Sequence, residues 1–208
     1  MSLKLFPFLL SSFAILQLSI SGDPDILPLP PPNPTNNNNN NITGDHFTFT
    51  GIRPLFHQRP TTLTISTATL AEFPSLAGQG VSYAVLQFPS GAANPPHTHP
   101  RASELLLVAR GVLEVGFVDT ANNLYAQRRL RSGDAFVFPK GLVHFQRNVG
   151  RKTAVAFSAF GSASGGGMIS IPAAVFASGI DDDVLARGFR TDEDTVRGIK
   201  AGVMGYSR

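Results

Sequence analysis

The stretch Gly91-Ala92-Ala93-Asn94-Pro95-Pro96-His97-Thr98-His99-Pro100-Arg101-Ala102-Ser103-Glu104 brings two imidazoles and a carboxylate within a few residues of each other. Side chains separated by one residue share a face of a strand, so His97 and His99 can present both rings to one interior point. Glu104 follows a bend at Pro100 and opens the next strand, from which its carboxylate can reach the same point. A second stretch supplies the fourth group: Gly133, then Pro139-Lys140-Gly141, then His144 and Asn148. Proline sets the first turn angle there and glycine takes the tight exit, delivering His144 at the start of another strand. Ligands from separate strands can converge only inside a closed or sandwiched sheet, where three neutral imidazoles and one carboxylate form an N₃O site. That donor set suits Mn, Fe, Ni, Cu or Zn and does not select among them.

Outward from these stretches the chain reads as short strands rich in β-branched and aromatic residues. The predicted strands are 47–50, 62–66, 81–88, 104–109, 112–117, 124–130, 135–138, 143–147 and 154–160, separated by glycine, proline and asparagine breakers. Many short, closely spaced strands predict an all-β sandwich or barrel. Val81, Tyr83 and Val85, and likewise Leu113, Val115 and Phe117, alternate as strands with one buried face should. After the flexible Gly165-Gly166-Gly167 the character changes to short helices. Pro172 opens one through Phe176, Asp181-Asp182-Asp183 caps a second, and Thr191 with Asp194 caps a third before Val196. Such short helices are expected to pack on the barrel or on a neighbouring subunit.

Composition narrows the function classes. Of 208 residues 42% are hydrophobic, enough for a core, while a net charge of +3 with no dense basic block argues against a nucleic-acid partner. The absence of cysteine removes disulfides, thiolate metal sites and a thiol nucleophile at once. Met1 to Ser21 has an early Lys4, an apolar run interrupted by Ser11, Ser12 and Gln17, and small residues at its end. This reads as a secretory signal peptide over 1–21, too short and polar for a membrane anchor, and no later stretch predicts a span. Residues 22–46 form a proline- and asparagine-rich arm unable to pack a core, with a glycosylation sequon at Asn41. The barrel is assigned to 47–172 and the helical extension to 173–208. His46 and His57 fall outside both stretches and are read as surface or packing residues.

Ten fixed identities, Gly91, His97, His99, Glu104 and Gly111 in the first stretch and Gly133, Pro139, Gly141, His144 and Asn148 in the second, resemble the two cupin motifs of plant germins and germin-like proteins. The likeness extends from Gly22-Asp23-Pro24-Asp25 through Phe47-Thr48-Phe49-Thr50-Gly51 to Gly141-Leu142-Val143-His144-Phe145-Gln146. The resemblance implies an all-β cupin jelly-roll barrel with a short C-terminal α-helical extension. It implies manganese held by His97, His99, Glu104 and His144, and a homo-oligomer, a hexamer built as a trimer of dimers. It further implies an extracellular glycoprotein of the apoplast linked to cell walls and defence.

Two departures matter. Germins carry two N-terminal cysteines in a disulfide, and this chain has proline and asparagine there, so the arm lacks that staple. Oxalate-oxidising germins are similar in using two asparagines near the metal; one matches Asn94, the other falls at Ala84. Alanine donates no hydrogen bond, so a retained metal site need not retain oxalate turnover. The expected activity is superoxide dismutation, with superoxide as the small-molecule substrate and no catalytic group separate from the metal ligands. The alternatives are a non-catalytic cell-wall or receptor-type protein with a structural metal, and an oxalate oxidase. If Asn94 has no substrate role, it is a turn residue before Pro95.

Overall fold

The computed structural model describes residues 43–206. The signal peptide over 1–21, Asn41 and all but the last four residues of the arm over 22–46 lie outside the described residues. Ten strands follow in chain order: β1 (Thr64–Ala68), β2 (Ser82–Phe88), β3 (Ala93–Thr98), β4 (Glu104–Arg110), β5 (Val112–Val118), β6 (Leu124–Arg131), β7 (Ala135–Phe138), β8 (Val143–Asn148), β9 (Ala154–Phe160) and β10 (Ile169–Ser170). They form two five-stranded sheets, ordered β1-β2-β9-β4-β7 and β10-β3-β8-β5-β6, with every pairing antiparallel. Leu86, Phe88, Leu106 and Val108 from the first sheet meet Leu113, Val115 and Leu130 from the second in one buried core. The structure is therefore the two-sheet jelly roll expected of an all-β chain, with the core between the sheets.

The inward face of β2 is the opposite of the one the alternation suggested. Ala84, Leu86 and Phe88 join the central core, whereas Val81 and Tyr83 are exposed and Val85 belongs to a second cluster outside the sheet. That cluster forms because the 3₁₀ turn Arg53–His57 lays Leu55 over the outer face, so β2 is apolar on both sides and period-two reading loses its contrast. The predicted strand at 47–50 is also absent. Gly44–Phe47 is a 3₁₀ turn, closed by Thr48 Oγ1 donating to the Gly44 carbonyl at 2.7 Å, so local bonds satisfy groups that a ladder would have used. His46 and His57 lie in these two turns and are exposed.

Three helices close the chain: α1 (Ile171–Phe176), α2 (Asp182–Phe189) and α3 (Glu193–Tyr206). Ser170 caps α1 through Ala173 N, and Asp181 caps α2 through Asp183 N at 2.9 Å. Asp192, one residue beyond the predicted Thr191, caps α3 by accepting from Thr195 N at 2.8 Å. Leu185, Ala186 and Val196 are buried together against Val175 and Phe176, so the helices pack chiefly on one another, with α1 against β3. No helix among the described residues is long and apolar enough to cross a membrane.

The glycine run before β10 is held in place. Gly165, Gly166 and Gly167 have φ of 63°, 71° and 69°, a region that L side chains rarely occupy. A Cβ at Gly166 would stand 2.6 Å from the Ala102 Cβ and 2.8 Å from its backbone nitrogen. Gly166→Ala is therefore expected to destabilise the fold by about 2 kcal/mol through backbone strain and collision. Equilibrium urea unfolding checks this, and an unchanged midpoint would refute it.

Candidate metal centre

His97 sits near the end of β3, His99 just beyond it, Glu104 is the first residue of β4 and His144 the second of β8. Asn94 and His97 are three residues apart and would normally point to opposite faces. A register shift between them, where Asn94 pairs with Gln146 and His97 with His144, adds the extra residue of a bulge. Pro95 and Pro96 occupy that bulge, where proline costs the ladder least. As a result Asn94, His97 and His99 are all buried, and His97 and His144 lie directly opposite with ring centroids 4.2 Å apart.

One donor atom from each of His97, His99, Glu104 and His144 falls within 4.8 Å of all the others, and all four residues are buried. Each imidazole is fixed by its other nitrogen. Nδ1 of His97 donates to the Pro95 carbonyl at 2.8 Å, Nδ1 of His99 to Gly165 at 2.6 Å, and Nδ1 of His144 to Leu142 at 2.8 Å. A carbonyl can only accept, so Nδ1 of each ring carries a proton, and in the neutral form each Nε2 turns a lone pair inward. Those lone pairs confront Glu104 Oε2, which lies 3.1 Å from His144 Nε2 and 3.5 Å from His99 Nε2. Four electron-rich atoms in so small a buried space repel unless a cation or a proton lies between them, so the donor set fits a divalent ion.

The electrostatics agree with that fit. Burial pushes His97 down to about 4, with the neighbouring His144 acting in the same direction. Burial also lowers His99, against the opposing pull of Glu104. Burial raises Glu104, but the adjacent His144 and the hydrogen bond donated by Ser158 outweigh it and hold the carboxyl below its ordinary range. Neutral rings and an ionised carboxylate are the forms that ligate metal.

Around this centre lie groups that the sequence reading did not single out. Glu104 Oε1 accepts from Ser158 Oγ at 2.6 Å and from Gln146 Nε2 at 3.4 Å. Asn94 Nδ2 donates to Gln146 Oε1 at 2.9 Å and stands 3.4 Å from His97 Nε2. Phe138 stacks on His144 at 4.4 Å, and Phe160 lies against His99 at 4.7 Å. Gln146 was within reach of sequence logic, since it follows His144 by two residues on the same strand face. Ser158 and the Gly165 carbonyl carried no such signal.

The centre opens onto a cavity of about 230 Å³. Its wall includes Ile65, Ala84, Leu86, Phe160 and Met168, together with Asn94 and three of the four converging groups, His97, His99 and Glu104. The described residues contribute no lysine or arginine to this lining.

Comparison with known proteins fits this geometry. The cupin family pattern matches residues 54–197. Germin-like protein 9-3 of Oryza sativa subsp. japonica is 52% identical over 91% of this chain and 90% of its own length. The chain belongs to the germin-like proteins of the cupin family. Germin-like protein 9-1 of the same organism is 50% identical over 90% of this chain and 76% of its own. Among solved structures, one of oxalate oxidase is 36% identical and superposes with a TM-score of 0.67 over 71% of this chain and 75% of that one. In this germin-like chain, Asn94 stands beside the centre, whereas Ala84 presents only a methyl group to the same cavity.

Proposed function

We propose that this germin-like protein is secreted to the apoplast, binds manganese through His97, His99, Glu104 and His144, and dismutates superoxide as part of plant defence. The observation that carries the reading is the inward convergence of three imidazoles and one carboxylate beside an open cavity whose lining holds no lysine or arginine. A metal ion held by these four residues would supply one-electron exchange, by which two superoxide anions and two protons become oxygen and hydrogen peroxide. The chain's own residues hold the ion, keep the imidazoles in one tautomer, and admit a small anion without a dedicated binding group. Glycosylation at Asn41 belongs to the same extracellular reading.

Oxalate fits less well. A dianion needs donors beyond the metal, and Ala84 offers none. The Asn94 amide is already engaged by Gln146. Metal-loaded protein is therefore expected to accelerate superoxide decay and to release no peroxide from oxalate. Failure to accelerate superoxide decay in metal-replete protein would defeat the enzymatic reading in favour of a structural metal. Ala84→Asn is expected to make oxalate-dependent peroxide release detectable by restoring one hydrogen-bond donor; continued absence of release would show that position 84 does not limit oxalate.

A homo-oligomer, the hexamer of the germin resemblance, accounts for the outer face of the first sheet. Tyr83, Ala159, Leu105 and Val137 are register partners across four strands, and Leu105 and Val137 are 51% and 55% exposed. An apolar row of this kind is the surface that a second copy covers. Sedimentation of the purified protein tests this, and a monomer at micromolar concentration would refute it.

A further inference from the structure

We propose that Ser158 is a positioning residue of the metal centre, committing Glu104 to a single ligand oxygen; the inference rests on the reading that the four groups hold a metal ion. The inward row of β9 is Ala154, Ala156, Ser158 and Phe160, and its three other members belong to the central apolar core. A hydroxyl in that row is wholly buried and would be costly without a partner. Its partner is Glu104 Oε1 at 2.6 Å, a charge-assisted distance.

The register explains why the hydroxyl is directed this way. Ser158 pairs across the sheet with Ala84 on one side and Leu106 on the other, and neither side chain can accept or donate. The serine proton therefore goes to the carboxylate without a competing side chain from these neighbours. With Gln146 Nε2 also directed at Oε1, that oxygen is occupied, and Oε2 alone faces His99 and His144. A second Glu104 oxygen could join the ion only by giving up one of these two donors, of which Ser158 at 2.6 Å is held far closer than Gln146 at 3.4 Å. Ser158 thus keeps the carboxylate monodentate and leaves ligand positions on a six-coordinate ion open towards the cavity.

The test compares Ser158→Thr with Ser158→Val, side chains of nearly equal shape that differ in the hydroxyl. Both are prepared metal-free and titrated with Mn(II), following the free-ion electron paramagnetic resonance signal, and the spectrum of the bound ion is recorded at saturation. The threonine variant is expected to keep the parent affinity and spectrum. The valine variant is expected to bind about tenfold more weakly, as loss of an outer hydrogen bond to a ligand commonly does, and to show a changed zero-field pattern. Equal affinities and identical spectra for the two variants would overturn the proposal while leaving the metal site intact. Parent protein that binds no Mn(II) would overturn the metal reading on which it rests. Should valine prevent folding, Ser158→Ala is measured against threonine by the same two readouts.

Discussion

Glu104→Gln is expected to weaken Mn(II) binding by more than about a hundredfold, beyond the loss typical of an outer-sphere partner. Glu104 supplies the sole negative charge in the four-residue cluster, and its Oε2 faces two of the three inward lone pairs. The effect can be read as stability. With metal at a thousand times its dissociation constant, binding stabilises the fold by about 4 kcal/mol, and a hundredfold weaker site loses roughly 2.7 kcal/mol of that. For a chain of this size the loss corresponds to a fall of roughly 5–10 °C in Tm of the metal-loaded protein. The metal-free comparison should go the other way. A glutamine amide keeps an oxygen to accept from Ser158 and can donate to a neutral imidazole Nε2, so the metal-free variant is expected to melt no lower than the metal-free parent. This crossing separates loss of a ligand from simple damage to the core. Melting curves of parent and variant, each with and without Mn(II), decide it, and an equal metal-induced shift in both would refute the assignment of Glu104.

His97, His99, Glu104 and His144 could be read from the sequence because glycine and proline at fixed spacings reported the turns that aim them. The strand expected at His97 extends back through Pro95 and Pro96 to Ala93, past residues that ordinarily exclude a strand, and the bulge they occupy is visible only in the register with β8. The facing of β2 was misread for a related reason: Leu55 arrives from a distant turn to cover the outer side, and period-two contrast depends on one side staying wet. Gly165-Gly166-Gly167 looked like a flexible break, yet its positive φ values and the contact with Ala102 make it a fixed support for His99. Ser158 is the clearest case. Its role is defined by a partner 54 residues away, and nothing in its own neighbourhood marks it out.

Acid should weaken the metal-free protein over a definite range. His97 titrates near 6.5 when unfolded but at about 4 in the native state, because burial penalises its charged form. Between those values the unfolded chain binds more protons than the native one, so stability rises with pH there and is lost as pH falls. A depression from 6.5 to about 4 corresponds to about 3 kcal/mol, complete once pH has fallen through the native value. His99 is lowered by burial and contributes with the same sign. Glu104, held below its ordinary range despite its burial, adds a further loss beginning near its unfolded value of 4.5. Urea unfolding of chelator-treated protein should therefore show stability nearly level above pH 7 and falling steeply between pH 6.5 and 4. His97→Gln, which cannot titrate, should flatten that fall, and an equal slope in variant and parent would show that His97 does not carry it. Bound metal opposes protonation of the same nitrogens, so metal-loaded protein should hold its stability to lower pH and then lose ion and fold together. His97 and His99 are open to metal because burial disfavours their protonated forms, so the burial that prepares the site also makes the empty site sensitive to acid.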